Sequence, residues 1–201
     1  MHVDGGKAMT PFGDGIDWAN EARRILKEDN VFYSVIPEDE FAAMIKKHVP
    51  DRHGKKLLDC GCNIGRWSDY FISLGFEYTG IDQDPEVIRL AKQLRPNHHY
   101  IKSFLWDFGS VYPTHDVAVF VAVLQHNTNA EKERIMEMLQ NTIKPGGHVF
   151  AMESTVKTKT NTQLTQPGWL DLFDRYGFDC ADKWHVNELG FMDRYVFRRD
   201  D

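Results

Sequence analysis

The chain has 201 residues, 42% of them hydrophobic, and a net charge of −6, which suits one buried core with an N-terminal extension rather than two domains. That acidic balance gives no general attraction to a phosphate backbone and disfavours nucleic acid as a partner. No apolar run approaches the roughly 18 residues that a membrane span needs, and "MHVDGGKAMTPFGDG" lacks an apolar signal core, so no membrane association and a cytoplasmic location are expected.

Residues 1–15 are Gly-rich and polar and are expected to form a flexible tail. An N-terminal helical extension over residues 16–54 follows, carried by "IDWANEARRILKEDN" and "PEDEFAAMIKKHV". From residue 55 to 201 the pattern changes. Short apolar runs at "KLLDC", "FEYTGID", "HYIKSFL", "DVAVFVAV" and "GHVFAME" alternate with segments of helical period, "GRWSDYFISLG", "PEVIRLAKQL" and "EKERIMEMLQNTI". Alternation of that kind predicts a doubly wound, mostly parallel α/β sheet with right-handed crossovers. "GWLDLFDRYGF" reads as one more helix, and "FDCADKWHV" and "LGFMDRYVFRR" as two strands joined by a short turn, an antiparallel pair at one sheet edge. The Thr-rich stretch 154–166 interrupts the alternation and reads as a long loop. Cys60, Cys62 and Cys180 form no even disulfide framework and no zinc set. His98 and His99, adjacent on a strand, point to opposite faces and make a poor metal pair, so no metal is expected.

The stretch most informative about function is "LLDCGCNIGRWS", residues 57–68. It runs a strand into two glycines, Gly61 and Gly65, at the turn that floors the ligand crevice of an open α/β sheet. Bare backbone there leaves room for a ligand against the chain and a helix N-terminus. Asp82 follows Gly61 by 21 positions, close to the spacing of about 20 at which an acidic residue meets a ribose. The dinucleotide pattern G-x-G-x-x-G is not met, because Asn63 and Arg66 stand at its second and third glycines.

The segment instead resembles the first motif of class I S-adenosylmethionine-dependent methyltransferases, D/E-x-G-x-G-x-G, through Asp59, Gly61 and Gly65. Asn63 replaces the middle glycine, and Asn tolerates positive φ. "GIDQDPEVIRLAK" is similar to the family's second motif, "FLWDF" to the third, "HDVAVFVAVLQH" to the fourth strand and its turn, and "LQNTIKPGGHVFAMES" to the segment that follows. The resemblance covers residues 55 to 198 and implies a Rossmann-like sheet of seven strands with an antiparallel last strand beside the fifth. It also implies S-adenosyl-L-methionine as cofactor and S-adenosyl-L-homocysteine as product. Asp82 with Gln83 would serve the ribose, Asp107 the adenine amino group, and Trp106 or Phe108 the ring. Cys62, Asn63, Arg66 and Val121 would complete the cofactor contacts.

The acceptor side is less determined. His126 is either a general base or a group packing its turn, and Glu153 either orients or deprotonates a nucleophile or is a solvated strand end. Asn127 either contacts substrate or caps a helix. Trp18, Phe32 and Tyr33 either form an aromatic lid over a substrate or pack an amphipathic helix. The expected function is methyl transfer to O or N of a small molecule. The alternatives are a protein or RNA methyltransferase and a non-catalytic cofactor-binding protein. An acidic groove suits a basic peptide, and "VAVLQHN" lacks the Asn/Asp-Pro-Pro-Tyr/Phe motif of amino-directed base methylases.

Overall fold

The structure, a computed structural model, describes residues 17–28, 38–109, 114–155, 164–186 and 192–201. The tail expected at 1–15, the aromatics Phe32 and Tyr33, most of the Thr-rich stretch and the turn after Val186 lie outside the described residues. Two helices, α1 (Trp18–Glu28) and α2 (Glu38–His48), precede β1 (Lys56–Cys60), α3 (Ser68–Ser73), β2 (Glu77–Asp82), α4 (Pro85–Leu94) and β3 (His99–Lys102). A 3-10 turn at Leu105–Asp107, β4 (His115–Val121), a 3-10 turn at Leu124–His126, α5 (Asn129–Thr142) and β5 (Ile143–Ser154) come next. The chain ends with α6 (Gln166–Asp174), β6 (Phe178–Val186) and β7 (Met192–Arg199).

The strands form one sheet of seven in the order β3-β2-β1-β4-β5-β7-β6. β1 to β5 are mutually parallel, and β7 runs antiparallel to both β5 and β6. This is the fold class that the alternation predicted, with β7 inserted beside β5 as expected. The sheet is buried on both faces, which is why its strands read as nearly continuous apolar runs. Along β4, Val117 and Val119 enter the core under α2 and α3, while Ala118 and Phe120 enter the one under α5 and α6. Among the described residues, no helix is long and apolar enough to cross a membrane.

Local signals set the helix starts. Asp84 caps α4 by accepting from the backbone N–H groups of Glu86 and Val87, and Pro85 supplies the first helical residue. Thr128 and Glu131 form a reciprocal capping box at the head of α5. Two boundaries differ from expectation. The helix expected directly after Gly65 begins at Ser68, because residues 63–67 spend a turn at the sheet edge. β5 begins at Ile143 rather than Gly147, running through Pro145 with a register shift opposite β4 between His115 and Val117.

α1 packs beside the sheet's carboxyl edge, and α2 lies over one face of the sheet. Ala22 of α1 is fully buried with Ile64 and Val87, and Arg23 pairs with Glu86 of α4 at 2.9 Å. Phe41, Met44 and Ile45 of α2 enter the core against Phe150 and Trp67.

Candidate active site

The strand order reverses between β1 and β4, and the loops leaving those two strands diverge there. Such a switch point opens a crevice at the carboxyl edge of the sheet. The crevice encloses about 930 Å³ of empty space including its open mouth. Three segments contribute its walls: Asp59, Gly61 to Ile64, Arg66 and Trp67 from the end of β1 and its turn, Asp82 and Gln83 from the end of β2, and Val121 to Val123, His126 and Asn127 from the end of β4 and its turn. Leu105 adds an apolar surface from the 3-10 turn after β3.

The β1 loop hangs on the end of β2. Gly61 N and Cys62 N both donate to Ile81 O at 2.9 Å, and Asn63 N donates to Asp82 Oδ2 at 3.1 Å. Asp82 Oδ1 accepts from Asp84 N at 3.0 Å, so each carboxylate oxygen keeps further acceptor capacity toward the crevice. Burial pushes Asp82 up to about 6 despite those backbone donors. Asp59, 3% exposed, accepts the Tyr78 hydroxyl at 2.8 Å. Burial, with the charge of Asp82 nearby, raises Asp59 to about 7 against the Tyr78 bond. The crevice floor is thus a pair of desolvated carboxyls.

Asn63 sits at φ 49°, and its own Oδ1 accepts the Ile64 N–H at 2.7 Å. An Asn side chain can therefore hold the left-handed turn where the methyltransferase pattern has glycine. Both glycines sit at φ 72° and also meet neighbouring protein closely. A Cβ on Gly61 would stand 2.7 Å from a Val123 methyl, and one on Gly65 would stand 2.0 Å from the Tyr100 hydroxyl. Both are bare to let protein approach protein, and Gly61 lines the crevice while Gly65 does not.

The β4 loop is held by buried charge. Glu153 has no solvent exposure; its Oε1 accepts from Val123 N and Leu124 N, and its Oε2 from Gln125 N, at 2.9 to 3.0 Å. Burial raises its pKa, and the three N–H groups pull it back down. Gln125 Oε1 accepts from Ser154 N at 2.7 Å, and Lys132 donates to the Asn127 carbonyl. Burial lowers Lys132 to about 8. Ala122 takes φ 56° where the chain leaves β4, an uncommon state for a residue with a Cβ. On this frame His126 and Asn127 face the crevice. The Asn127 side chain donates to Val123 O at 2.8 Å, and Gln125 Nε2 lies 3.3 Å from His126 Nε2.

Of the residues singled out from sequence, the crevice brings together Asp59, Gly61, Cys62, Asn63, Arg66, Asp82, Gln83, Val121, His126 and Asn127. It does not include Trp106, Asp107 and Phe108, which line a separate surface hollow with Arg134, Glu137 and Met138. The 3-10 turn swings them outward. Arg134 lies 4.8 Å above the Trp106 ring and 3.4 Å from the Asp107 carboxylate, whose side chain is 56% exposed. Glu153 is neither a solvated strand end nor a wall of the crevice, since its carboxylate is consumed by backbone. The Trp18 side chain and Tyr33 lie outside the described residues. Sequence reasoning passed over Ile64, Trp67, Leu105, Ala122 and Val123, which line the crevice; as apolar residues beside a motif they carried no chemical signal. Among the described residues there is no cluster of three or more His, Cys, Asp or Glu that could hold a metal ion.

Comparison with known proteins gives a family and a fold. The model of the family described as "Methyltransferase domain" matches residues 16–187. The chain is 30% identical over 111 residues to the ubiquinone biosynthesis O-methyltransferase of Proteus mirabilis, a match covering 53% of this chain and 44% of that protein. The Vibrio atlanticus protein of the same name is 29% identical over 102 residues, or 48% of this chain and 42% of its own. This chain thus spans less than half the length of the curated relatives it matches. Among solved structures, 1,6-didemethyltoxoflavin-N1-methyltransferase of Burkholderia thailandensis, with 1,6-didemethyltoxoflavin and S-adenosylhomocysteine bound, superposes at TM-score 0.71. It is 16% identical, over 92% of this chain and 87% of its own. Magnesium protoporphyrin IX methyltransferase of Synechocystis, with S-adenosylhomocysteine bound, superposes at 0.70 with 13% identity, over 92% of this chain and 100% of its own. At these identities the likeness to the solved structures is one of fold.

Proposed function

The chain belongs to the methyltransferase domain family, and from that premise we propose that it transfers the methyl group of S-adenosylmethionine to O or N of a small molecule. The observation that carries the reading is Asp82. Its carboxylate is fixed by two backbone N–H groups at the crevice floor, at the last residue of β2, and keeps acceptor capacity for a ribose diol. Ionised, it forms charge-assisted bonds to two hydroxyls, and burial makes those bonds stronger than they would be in water. Gln83, Leu105 and Ile64 supply the polar edge and the apolar surface that a nucleoside needs beside it. The residues present therefore fit the cofactor.

When bound, the cofactor supplies an already activated methyl group. What remains for the protein is alignment, exclusion of water and, for a hydroxyl or ammonium acceptor, removal of a proton. His126 is the titratable side chain on the β4 wall, across the crevice from Asp82, and we assign it the proton. Its backbone N–H is tied to Val123 O at 3.0 Å, and Glu153 fixes the turn that carries it. Asn127 orients the acceptor beside it. The O-methyltransferase and N1-methyltransferase activities named for the relatives support a small organic acceptor over a macromolecule.

The test uses methyl-labelled S-adenosylmethionine, the purified protein and a desalted cell extract split into small-molecule, protein and RNA fractions. Label is expected in the small-molecule fraction. Label confined to protein or RNA overturns the acceptor class, and no transfer to any fraction overturns the activity.

A further inference from the structure

Arg194 of β7 is fully buried and takes no part in the crevice described above. Its Nη1 donates to Glu40 Oε2 on α2 at 2.5 Å. Its Nε and Nη2 are buried and have no hydrogen-bond partner among the described residues. Those two nitrogens are neighbours on one edge of the guanidinium, and their N–H bonds run parallel in the fork that matches a carboxylate's two oxygens. An apolar setting that leaves such a fork unpaired costs the desolvation of every idle donor. Met152, Met192, Val196 and Phe41 supply that setting. Arg194 pairs Nη1 with Glu40 and leaves the buried Nε and Nη2 unpaired.

Sheet register relates Arg194 to the crevice. Arg194 is paired with Met152 of β5, and Met152 with Val121 of β4. Paired positions on neighbouring strands project from the same face. The row Val121, Met152, Arg194 therefore shares one face at the carboxyl edge, and Val121 is a wall of the crevice. Two strand spacings separate the ends of the row, about 10 Å between backbones, a distance that an arginine side chain and a ring-sized molecule bridge together. The Glu40 side chain is 54% exposed, so the guanidinium lies one side chain below solvent.

We propose that the Nε and Nη2 edge of Arg194 binds a carboxylate of the methyl acceptor, which makes the acceptor a small organic acid. The inference rests on the reading of the crevice as a methyl-transfer site and names its substrate class. The acid group docks on Arg194, and the O or N to be methylated points along the row toward Val121 and His126. Glu40 holds the fork in place from outside and, as a fixed anion, weakens the site's attraction for the ligand.

The test is calorimetry on the full chain saturated with S-adenosylhomocysteine, titrated with benzoate and with benzamide, a charged and a neutral probe of one shape. Benzoate is expected to bind at least tenfold tighter. Arg194→Met keeps the apolar stem and removes the buried charge, a change that folds tolerate; it should abolish the preference while leaving S-adenosylhomocysteine affinity unchanged. Glu40→Gln, on an exposed side chain, should tighten benzoate severalfold. Equal affinity for the two probes in the wild type, a preference that survives Arg194→Met, or no effect of Glu40→Gln would each overturn the proposal. Failure of the wild type to bind S-adenosylhomocysteine overturns the cofactor reading instead, and the two probes titrated into the ligand-free chain still decide the role of Arg194.

Discussion

The carboxylate of Glu153 on β5 accepts the backbone N–H of Leu124 at 2.9 Å, across from the end of β4, with no solvent access. It is one of three such bonds, and together they replace the ladder partners that residues 123–125 lose on leaving the strand. Glu153→Gln keeps one acceptor oxygen and turns an NH₂ toward a backbone donor. The expected cost is about 1 to 3 kcal/mol of stability, read as a lower urea midpoint. Because the loop carries His126, turnover should fall while S-adenosylhomocysteine affinity stays within a few-fold. A midpoint equal to the wild type would remove the clamp from the account.

Asp59 gives a pH dependence with a definite sign. Its folded pKa of about 7 stands above the ordinary carboxyl value, so the folded state keeps a proton that the unfolded chain has released. Stability from this group is therefore full at low pH and is lost as pH rises toward 7. Buried His115 and His148, each lowered to about 4, act in the opposite direction over the acidic part of that range. The Asp59 effect is consequently read as a difference. Asp59→Asn, which can still accept the Tyr78 hydroxyl, should gain about 2 to 3 kcal/mol on the wild type between pH 5 and pH 8. Parallel stability curves for the two proteins across that range would contradict a protonated Asp59.

Gly65 and Gly109 make a matched pair. Gly65 lies at φ 72°, and an added Cβ would stand 2.0 Å from the hydroxyl of Tyr100, itself bonded to Ser68 at 2.9 Å. Gly65→Ala should cost about 2 to 4 kcal/mol from backbone strain and overpacking combined. Gly109 has open space around it, and Gly109→Ala should change stability by less than about 0.5 kcal/mol. Thermal unfolding of both variants checks the contrast; equal effects would mean that Tyr100 yields freely.

Cofactor affinity should depend on the charge of Asp82. Asp82→Ala is expected to weaken S-adenosylhomocysteine binding by about 1 to 3 kcal/mol, as for loss of charged hydrogen bonds. Ribose hydroxyls donate to the carboxylate, so binding favours its ionised form. Wild-type affinity should then fall as pH drops through about 6, the raised pKa of this group, by at most about tenfold per pH unit. Calorimetry between pH 5 and 8 should show protons released on binding near pH 6. A flat profile would place the ribose elsewhere.

The sheet was legible because its signals are local. Val117 to Phe120 form a run buried on both faces, Pro85 marks a helix start, and Asp82 follows the Gly61 turn at a telling interval. What escaped sequence depends on distant partners. Nothing in "FLWDF" tells that Arg134, 27 residues later, holds Asp107 and draws Trp106 to the outer surface. Nothing near Glu153 announces the three N–H groups that occupy it. Ala122 shows no mark of its positive φ, since the strain is imposed by the β4 and β5 pairing that ends in the Ala122 N to Met152 O bond of 2.8 Å. The reason for Gly65 is likewise legible only with Tyr100 of β3 in view.

His126 separates a chemical role from a structural one. Its backbone is fixed by the Val123 carbonyl and by the loop that Glu153 and Lys132 hold, so the side chain is not needed to shape the turn. His126→Gln keeps a polar side chain of similar reach and removes the base. The expected result is intact S-adenosylhomocysteine affinity, an unchanged unfolding midpoint and turnover lower by about 10²-fold or more. Near-normal turnover would return His126 to packing and leave deprotonation to the acceptor itself.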